Sequence, residues 1–242
     1  MAADPELARG GIRLRQFGQS VIERLAGRKI HAAWVLPGGV RTPLLPERRD
    51  EIRAELPEAL AITRTALDRF KQLLDQQFTE ELSVFGHFPS LFLALGRSDR
   101  LWETSSCNPC SGLQVMASDG TRLVDQLPVQ QFDRIIHEAT EPWSHLKSPY
   151  YGPLGPVEGS YRVGPLARLN LCDRIGTTEA DRELLELRHR AGPVVIASFH
   201  YHLARLIEIL ACLEQIAQLL DDPLTIATRV RHRATAATRL GR

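Results

Sequence analysis

Three groups of side chains in this 242-residue chain have the types and spacing to do chemistry. Cys107 and Cys110, in the run CNPC, stand two residues apart, which lets two thiolates reach one metal ion or close a redox disulfide. Tetrahedral zinc wants four ligands, and the other thiols, Cys172 and Cys212, are solitary, so a complete site would need distant cysteines or histidines to converge. Reduced bystanders in a tight turn around Pro109 are the plainer reading. His200 and His202 flank Tyr201. On a strand two such residues point the same way and share a ligand, whereas at the start of a helix they diverge; the helical pattern that follows favours divergence. Arg205 and Glu208 lie three apart on that pattern and can form an ion pair. Glu23, Glu138, Glu141 and Asp222 are carboxylates that no spacing pairs across a site, so surface charge or capping is preferred for them. No GxGxxG opens a helix after a strand, and no GxxxxGK[ST] phosphate loop occurs.

The elements that must position these groups are mostly helical. Leu14, Phe17, Val21 and Leu25 recur every three to four residues and predict a helix closed by Gly27. An irregular stretch follows over His31–Pro46, where Pro37-Gly38-Gly39 permits positive φ and close approach. From Glu47 to about Phe78 the pattern is helical again, with Leu60, Leu67, Phe70, Leu74 and Phe78 on one stripe and Pro57 starting or kinking it. Leu113–Met116 and Thr121–Val124 flank Ser118-Asp119-Gly120, which predicts a β-hairpin. Five prolines and three glycines across Pro128–Tyr161 forbid long regular elements, while Tyr150, Tyr151 and Trp143 give that segment the apolar substance of a packed loop. Glu179–Arg190 reads as a short helix with Thr178 as its N-cap. Tyr201–Leu220 carries Leu203, Leu206, Ile207, Leu210, Leu213, Ala217 and Leu220 on one face, and Asp222-Pro223 stops it. Ile209 and Ile216 widen that apolar surface, the mark of a helix central in its domain.

Composition sets the wider bounds. Hydrophobic residues make up 43% and charged residues 24%, enough to bury a core, and a formal charge of +1 supplies no field for nucleic acid or anionic membrane. The run Leu203–Leu220 is interrupted by Arg205, Glu208 and Glu214, so it predicts no membrane span. Four cysteines and an N-terminus without the blocks of a signal peptide point to a reducing, cytoplasmic setting.

Three stretches resemble the large subunit of nickel–iron hydrogenases: Leu14–Gly39, Glu141–Asn170 and Ser198–Asp222. Gly27–Val40 (GRKIHAAWVLPGGV) looks like the large-subunit signature in which a histidine precedes a Gly-Gly loop, with Ala32 where family members commonly have proline. Tyr161–Asn170 (YRVGPLARLN), Ser198–Leu210 (SFHYHLARLIEIL) and Glu141–Gly155 are similar to the cytoplasmic branch that serves NAD- or deazaflavin-linked enzymes. The resemblance implies a mainly α fold with a small antiparallel β region, hydrogenase large-subunit-like but incomplete. Residues 1–242 would be the central part of that domain, with a β-hairpin insertion at about 91–127 that holds Cys107 and Cys110 away from any metal centre. In the complete family member, four thiolates from RxCGxC and DPCxxC motifs hold a Ni–Fe centre, and an iron–sulfur small subunit, with further electron-transfer subunits, carries electrons away. Neither motif occurs here, so no cofactor is expected in this chain alone and none of its residues is expected to be catalytic or a metal ligand. His31 matches the family histidine that faces the partner's iron–sulfur cluster; a hydrogen bond that shapes the Pro37-Gly38-Gly39 loop is the alternative role. Three functional readings stand side by side. The chain is part of a hydrogenase large subunit, inactive towards H2 alone; or a non-catalytic hydrogenase-like or complex I-like interaction protein; or a zinc or thiol-redox protein built on Cys107 and Cys110. Absent covering segments, the first reading also expects unusual exposure of apolar surface.

Overall fold

A computed structural model describes residues 4–96 and 112–232, and Cys107 and Cys110 lie outside them. The chain divides into two compact units, 1–66 with 215–242, and 67–214, and the divisions fall inside two long helices.

In the first unit, α1 (Pro5–Ala26) opens where the Asp4 carboxylate accepts from the Leu7 N–H at 3.0 Å and Pro5 occupies the first turn, where its missing N–H costs nothing. It closes on Gly27 at φ +76°, as predicted, and buries Phe17. Two short strands follow, β1 (Val35–Leu36) and β2 (Gly39–Val40), a hairpin inside the stretch expected to be irregular. Next comes α2 (Pro46–Gln76), which contains Pro57 rather than starting at it. Arg24 of α1 reaches Glu55 of α2 at 2.5 Å and Glu51 at 2.9 Å, tying the two helices by charge-assisted bonds. Arg53 donates to the Leu220 carbonyl at 2.6 Å and to Asp221 at 2.7 Å, satisfying the last turn of α7 (His200–Asp221).

The second unit is built on a four-stranded sheet. After α3 (Thr79–Val84) come β3 (Leu91–Gly96), β4 (Gly112–Met116) and β5 (Arg122–Leu127), in the order β5-β4-β3-β8 with β8 (Tyr161–Arg162) parallel to β3. The predicted hairpin is β4–β5; β3 and the parallel edge join it. Alternation along β3 sends Leu91 to one face, with Leu113, Val115, Ile135 and Tyr151, and Phe92 and Ala94 to the other, with Met116, Ala167 and Leu171. Both faces are covered, so all five residues of β4 are buried. A second hairpin, β6 (Ile136–Ala139) with β7 (Ser148–Tyr151), lies in the proline-rich stretch, followed by α4 (Gly155–Glu158). Tyr151 is buried there, but Trp143 at the hairpin tip is 81% exposed, contrary to the packing role its aromatic ring suggested.

Around the sheet lie α5 (Pro165–Leu171), α6 (Thr178–Ala191) and the first part of α7. Thr177, not Thr178, occupies the N-cap of α6, and its hydroxyl makes no capping bond. Glu214 of α7 supplies the cap instead, accepting from the N–H groups of Glu179 and Ala180 at 2.8 and 2.9 Å. Glu208 is likewise taken by a distant partner. Arg168 of α5 grips it in two parallel bonds of 2.6 and 2.7 Å, where the local spacing had suggested Arg205. The planar guanidinium on a neighbouring helix matches the buried carboxylate better than a side chain one turn away on the same helix.

This pair yields a stability prediction. Arg168→Ala leaves a buried carboxylate unpaired and is expected to lower stability in urea by about 2–3 kcal/mol, discounted for Arg168 being 33% exposed. Arg168→Met with Glu208→Leu is expected to recover most of that loss, because the charge and its partner leave together.

Candidate functional site

The run from Gly27 to Thr42 folds into a loop whose shape is fixed at four points. Trp34 donates through its indole N–H to the Thr42 carbonyl at 2.9 Å, and Arg41 donates to the Ala33 carbonyl at 3.0 Å. The Arg41 N–H reaches the Trp34 carbonyl at 2.8 Å, and Pro37-Gly38 turns β1 into β2 with Gly38 at φ +88°. On its outer side the hairpin meets residues 230–232: the Val40 N–H donates to the Val230 carbonyl at 3.0 Å and the His232 N–H to the Gly38 carbonyl at 2.8 Å. A Cβ at Gly39 would stand 2.0 Å from the Val230 carbonyl oxygen, and Gly39 holds φ +148°, so only glycine fits. The Pro-Gly-Gly signal therefore marks a place where a second backbone passes in contact.

His31 sits at the exposed rim of this loop with φ +51°, one of two non-glycine residues among those described that adopt positive φ. That backbone is costly for histidine and is held by its surroundings. The bonds that shape the loop come from Trp34, Arg41 and the 230–232 backbone rather than from the His31 ring. Ile30 beside it is 71% exposed and Val35 is 76% exposed. A rigid rim that presents an imidazole between two bare aliphatic side chains is suited to contact with another surface.

The remaining candidates resolve differently. Cys172 is buried and its thiol is pushed up to about 12 by that burial, and burial also raises the Cys212 thiol, so both stay protonated at neutral pH. Among the described residues no group of three His, Cys, Asp or Glu side chains is arranged to hold a metal ion. His200 and His202 open α7 and diverge as the helical reading predicted: His202 is exposed and meets the Phe70 ring edge-on at 5.8 Å, while His200 is buried. Glu23 pairs with Lys29, Glu138 pairs with Lys147, and Asp222 caps the 3-10 turn Pro223–Ile226. Burial lowers the His200 pKa from its ordinary value, the Ala197 carbonyl opposing the effect and His87 adding to it. Neither the 230–232 clamp nor the His87–Ala197 bridge was legible from spacing, because both join residues far apart in sequence.

No protein-family model matches the chain. It is 32% identical to the A chain of the F420-non-reducing hydrogenase vhu of Methanococcus voltae over 232 residues, covering 95% of this chain and 53% of that protein. It is 31% identical to the beta chain of the NAD-reducing hydrogenase HoxS of Cupriavidus necator, covering 91% and 46%. Among solved structures, a NAD+-reducing [NiFe]-hydrogenase in the H2-reduced state superposes on 97% of this chain and 51% of its own, with a TM-score of 0.85 and 33% identity. A Ni-Fe-Se hydrogenase from D. vulgaris Hildenborough shares the fold at 16% identity and a TM-score of 0.66. The chain thus spans about half the length of the curated relatives it matches.

Two outcomes are expected from these observations. Gly39→Ala should force the 230–232 backbone away, seen as loss of hydrogen-exchange protection at Val40 and His232 with a destabilisation of about 1–3 kcal/mol. Because the His200 imidazole is depressed in the folded state, the unfolded chain binds its proton first as pH falls. Stability should therefore decline below about pH 6.5 towards the folded pKa, by at most about 1.4 kcal/mol per pH unit, and this slope should flatten in His200→Phe.

Proposed function

This chain belongs to the nickel–iron hydrogenase large-subunit family, and we propose that it forms the framework of such a subunit, docking an iron–sulfur small subunit through the His31 loop. The carrying observation is the match of 97% of the chain to a NAD+-reducing [NiFe]-hydrogenase at a TM-score of 0.85. The relatives named above are hydrogenase subunits, which favours this reading over a complex I-like interaction protein or a zinc or thiol-redox protein. In a complete subunit the Ni–Fe centre would split dihydrogen, and the electrons would leave through the small subunit towards an NAD- or deazaflavin-linked acceptor. A cytoplasmic setting is part of the proposal; among the described residues no helix is long and apolar enough to cross a membrane.

The described residues do not fit the Ni–Fe centre itself. It requires four cysteine thiolates, the soft ligands such a centre prefers. Among the described residues the two cysteines are Cys172, at the end of α5, and Cys212, on α7, and neither RxCGxC nor DPCxxC occurs in the sequence. The chain by itself is therefore proposed to be inactive towards H2. What its residues would contribute is placement: the loop holds His31 and two aliphatic side chains on a rigid rim, and charged bonds hold the helices behind it.

The test is capture of a purified iron–sulfur small subunit from a NAD-reducing hydrogenase on the immobilised chain, with H2-dependent dye reduction assayed beside it. Capture without dye reduction is expected. Val35→Asp should weaken capture at least about tenfold, since a charge placed at an interface core loses its hydration. His31→Ala should leave most of the capture intact but shift the reduction potential of the captured cluster. Dye reduction by the chain alone, or capture indifferent to Val35→Asp, would overturn the proposal.

A further inference from the structure

The backbone of residues 230–232 that clamps the His31 loop also brings charge to it. In sequence, the stretches 25–46 and 223–242 contain no aspartate or glutamate, although the chain has 29 acidic residues that nearly balance its 30 Lys and Arg. At that frequency, stretches of such length would ordinarily hold several carboxylates. The fold lays residues 39–40 of the first against 230–232 of the second: Arg231 stands opposite Gly39 in an antiparallel bridge. Arg229 lies two residues before Arg231, and Arg41 two residues past Gly39. The alternation of paired strands therefore turns Arg41, Arg229 and Arg231 to one face. All three are exposed, as are Arg28, Lys29 and His31 on the loop that leads into the hairpin.

These cations lack local counter-charges. Lys29 pairs with Glu23 at 3.4 Å, and Arg41 gives its Nε–H to the Ala33 carbonyl. Among the described residues no carboxylate pairs with Arg28, Arg41, Arg229 or Arg231. The acidic side chains of the same unit are engaged elsewhere: Glu51 and Glu55 with Arg24, Glu58 with Arg13, Asp221 with Arg53. In the register of the bridge Arg41 falls across from Arg229, and like charges so placed repel until a counter-charge arrives. A formal charge of +1 over the whole chain does not cancel this, because screening at physiological salt confines each charge to about 8 Å. What a partner feels at contact is the local cluster.

We propose that the face formed by Arg41, Arg229 and Arg231 is an electrostatic docking surface for an acidic protein surface, that of the iron–sulfur subunit that meets the His31 loop. The inference rests on the docking proposed above and adds what the partner carries: carboxylates set to oppose these guanidiniums, whose planar forks match carboxylate geometry. The ribbon of β1, β2 and residues 230–232 is three strands across, about 10 Å at the usual spacing, so one partner meets Val35 and the arginines together. The two groups divide the work. Ile30 and Val35 hold the partner, and the arginines draw it in, since exposed rim charges act on association more than on dissociation.

The purified small subunit of a NAD-reducing hydrogenase, passed over the immobilised chain from about 20 to about 300 mM NaCl, tests this. Its association rate should fall at least about tenfold over that range while its dissociation rate changes less than about twofold. Arg229→Glu with Arg231→Glu should slow association by about tenfold and flatten its salt dependence, and Arg229→Gln with Arg231→Gln should fall between that variant and the unchanged chain. Val35→Asp should instead speed dissociation. Hydrogen-exchange protection at Val40, whose bond to Val230 is backbone to backbone, shows that the clamp is intact in each variant. An association rate indifferent to salt or to the charge reversal overturns this proposal and leaves docking through Val35 standing. If the small subunit does not bind at all, that docking falls, and polyglutamate titrated into the ¹⁵N-labelled chain decides for the face alone. Saturable shifts at the Nε atoms of Arg41, Arg229 and Arg231 sustain its preference for carboxylates, and their absence overturns it. Tighter binding of a DNA duplex or of phosphatidylglycerol vesicles than of polyglutamate overturns it too, by making the face a phosphate binder.

Discussion

Helix ends buried away from water must find partners, and in this protein they find them in charged side chains far along the chain. The first turn of α6 has no capping bond from its own Thr177, and the Glu214 carboxylate of α7 takes the two N–H groups that would be left bare. At the other end of the same assembly, Arg188 of α6 gathers the carbonyls of Leu169, Cys172 and Asp173, closing the short helix α5 and the turn after it. Asn170, buried on α5, exchanges two amide bonds with Val195 at 2.9 and 3.0 Å. Hydrogen bonds to charged groups contribute about 1.5–3 kcal/mol each, so a seven-residue helix too short to persist alone is held by what surrounds it. Helix α7, buried at Leu203, Ala204, Ile207, Leu210 and Ala211, is the member that presents both Glu208 and Glu214.

The same economy of partners holds the facing ends of β3 and β4 together. Gln126 adopts φ +57° at an irregularity in β5, and its side chain donates to the Gly96 carbonyl at 2.9 Å while accepting from the Gly112 N–H at 3.2 Å. Those two glycines are the last residue of β3 and the first of β4. One strained residue thus staples the end of β3 to the start of β4, and a Cβ at Gly112 would meet the Gln126 backbone at 2.5 Å.

What could be read from the sequence was whatever a local pattern encodes. The periodicity of α1 and its Gly27 stop, the Ser118-Asp119-Gly120 turn and the apolar face of α7 each lie within a few residues of one another, and each was legible. Strand β3 was not, because Leu91–Leu95 is a continuous apolar run whose identity depends on sitting between β4 and the distant β8. Local spacing also misassigned partners: Arg205 lies three residues from Glu208, yet Arg168 takes it by better geometry. Trp143 departs from its pattern for the opposite reason: an aromatic ring in a proline-rich stretch implies packing, and this one stands bare at a hairpin tip. The His31 loop was found through its resemblance to a family signature; the physical reason for its glycines, the passing 230–232 backbone, appears only in three dimensions.

Exposed apolar side chains acquire meaning from the rigidity of the backbone that carries them. Scattered single residues are ordinary on any surface, and a mobile loop bearing Ile30 and Val35 would lose much of its contact energy in ordering itself on a partner. Here that cost has been met during folding: the hairpin is paired to residues 230–232, Trp34 and Arg41 brace the stretch between, and His31 is fixed in a backbone conformation it would seldom adopt unaided. Trp143 and Leu146, 81% and 80% exposed, stand on a hairpin braced by the Lys147–Glu138 pair at 2.9 Å, the same arrangement in the other unit. Preorganised aromatic and aliphatic side chains are the groups from which interface hot spots are made. In both places exposed apolar side chains stand on a hairpin whose backbone is already paired.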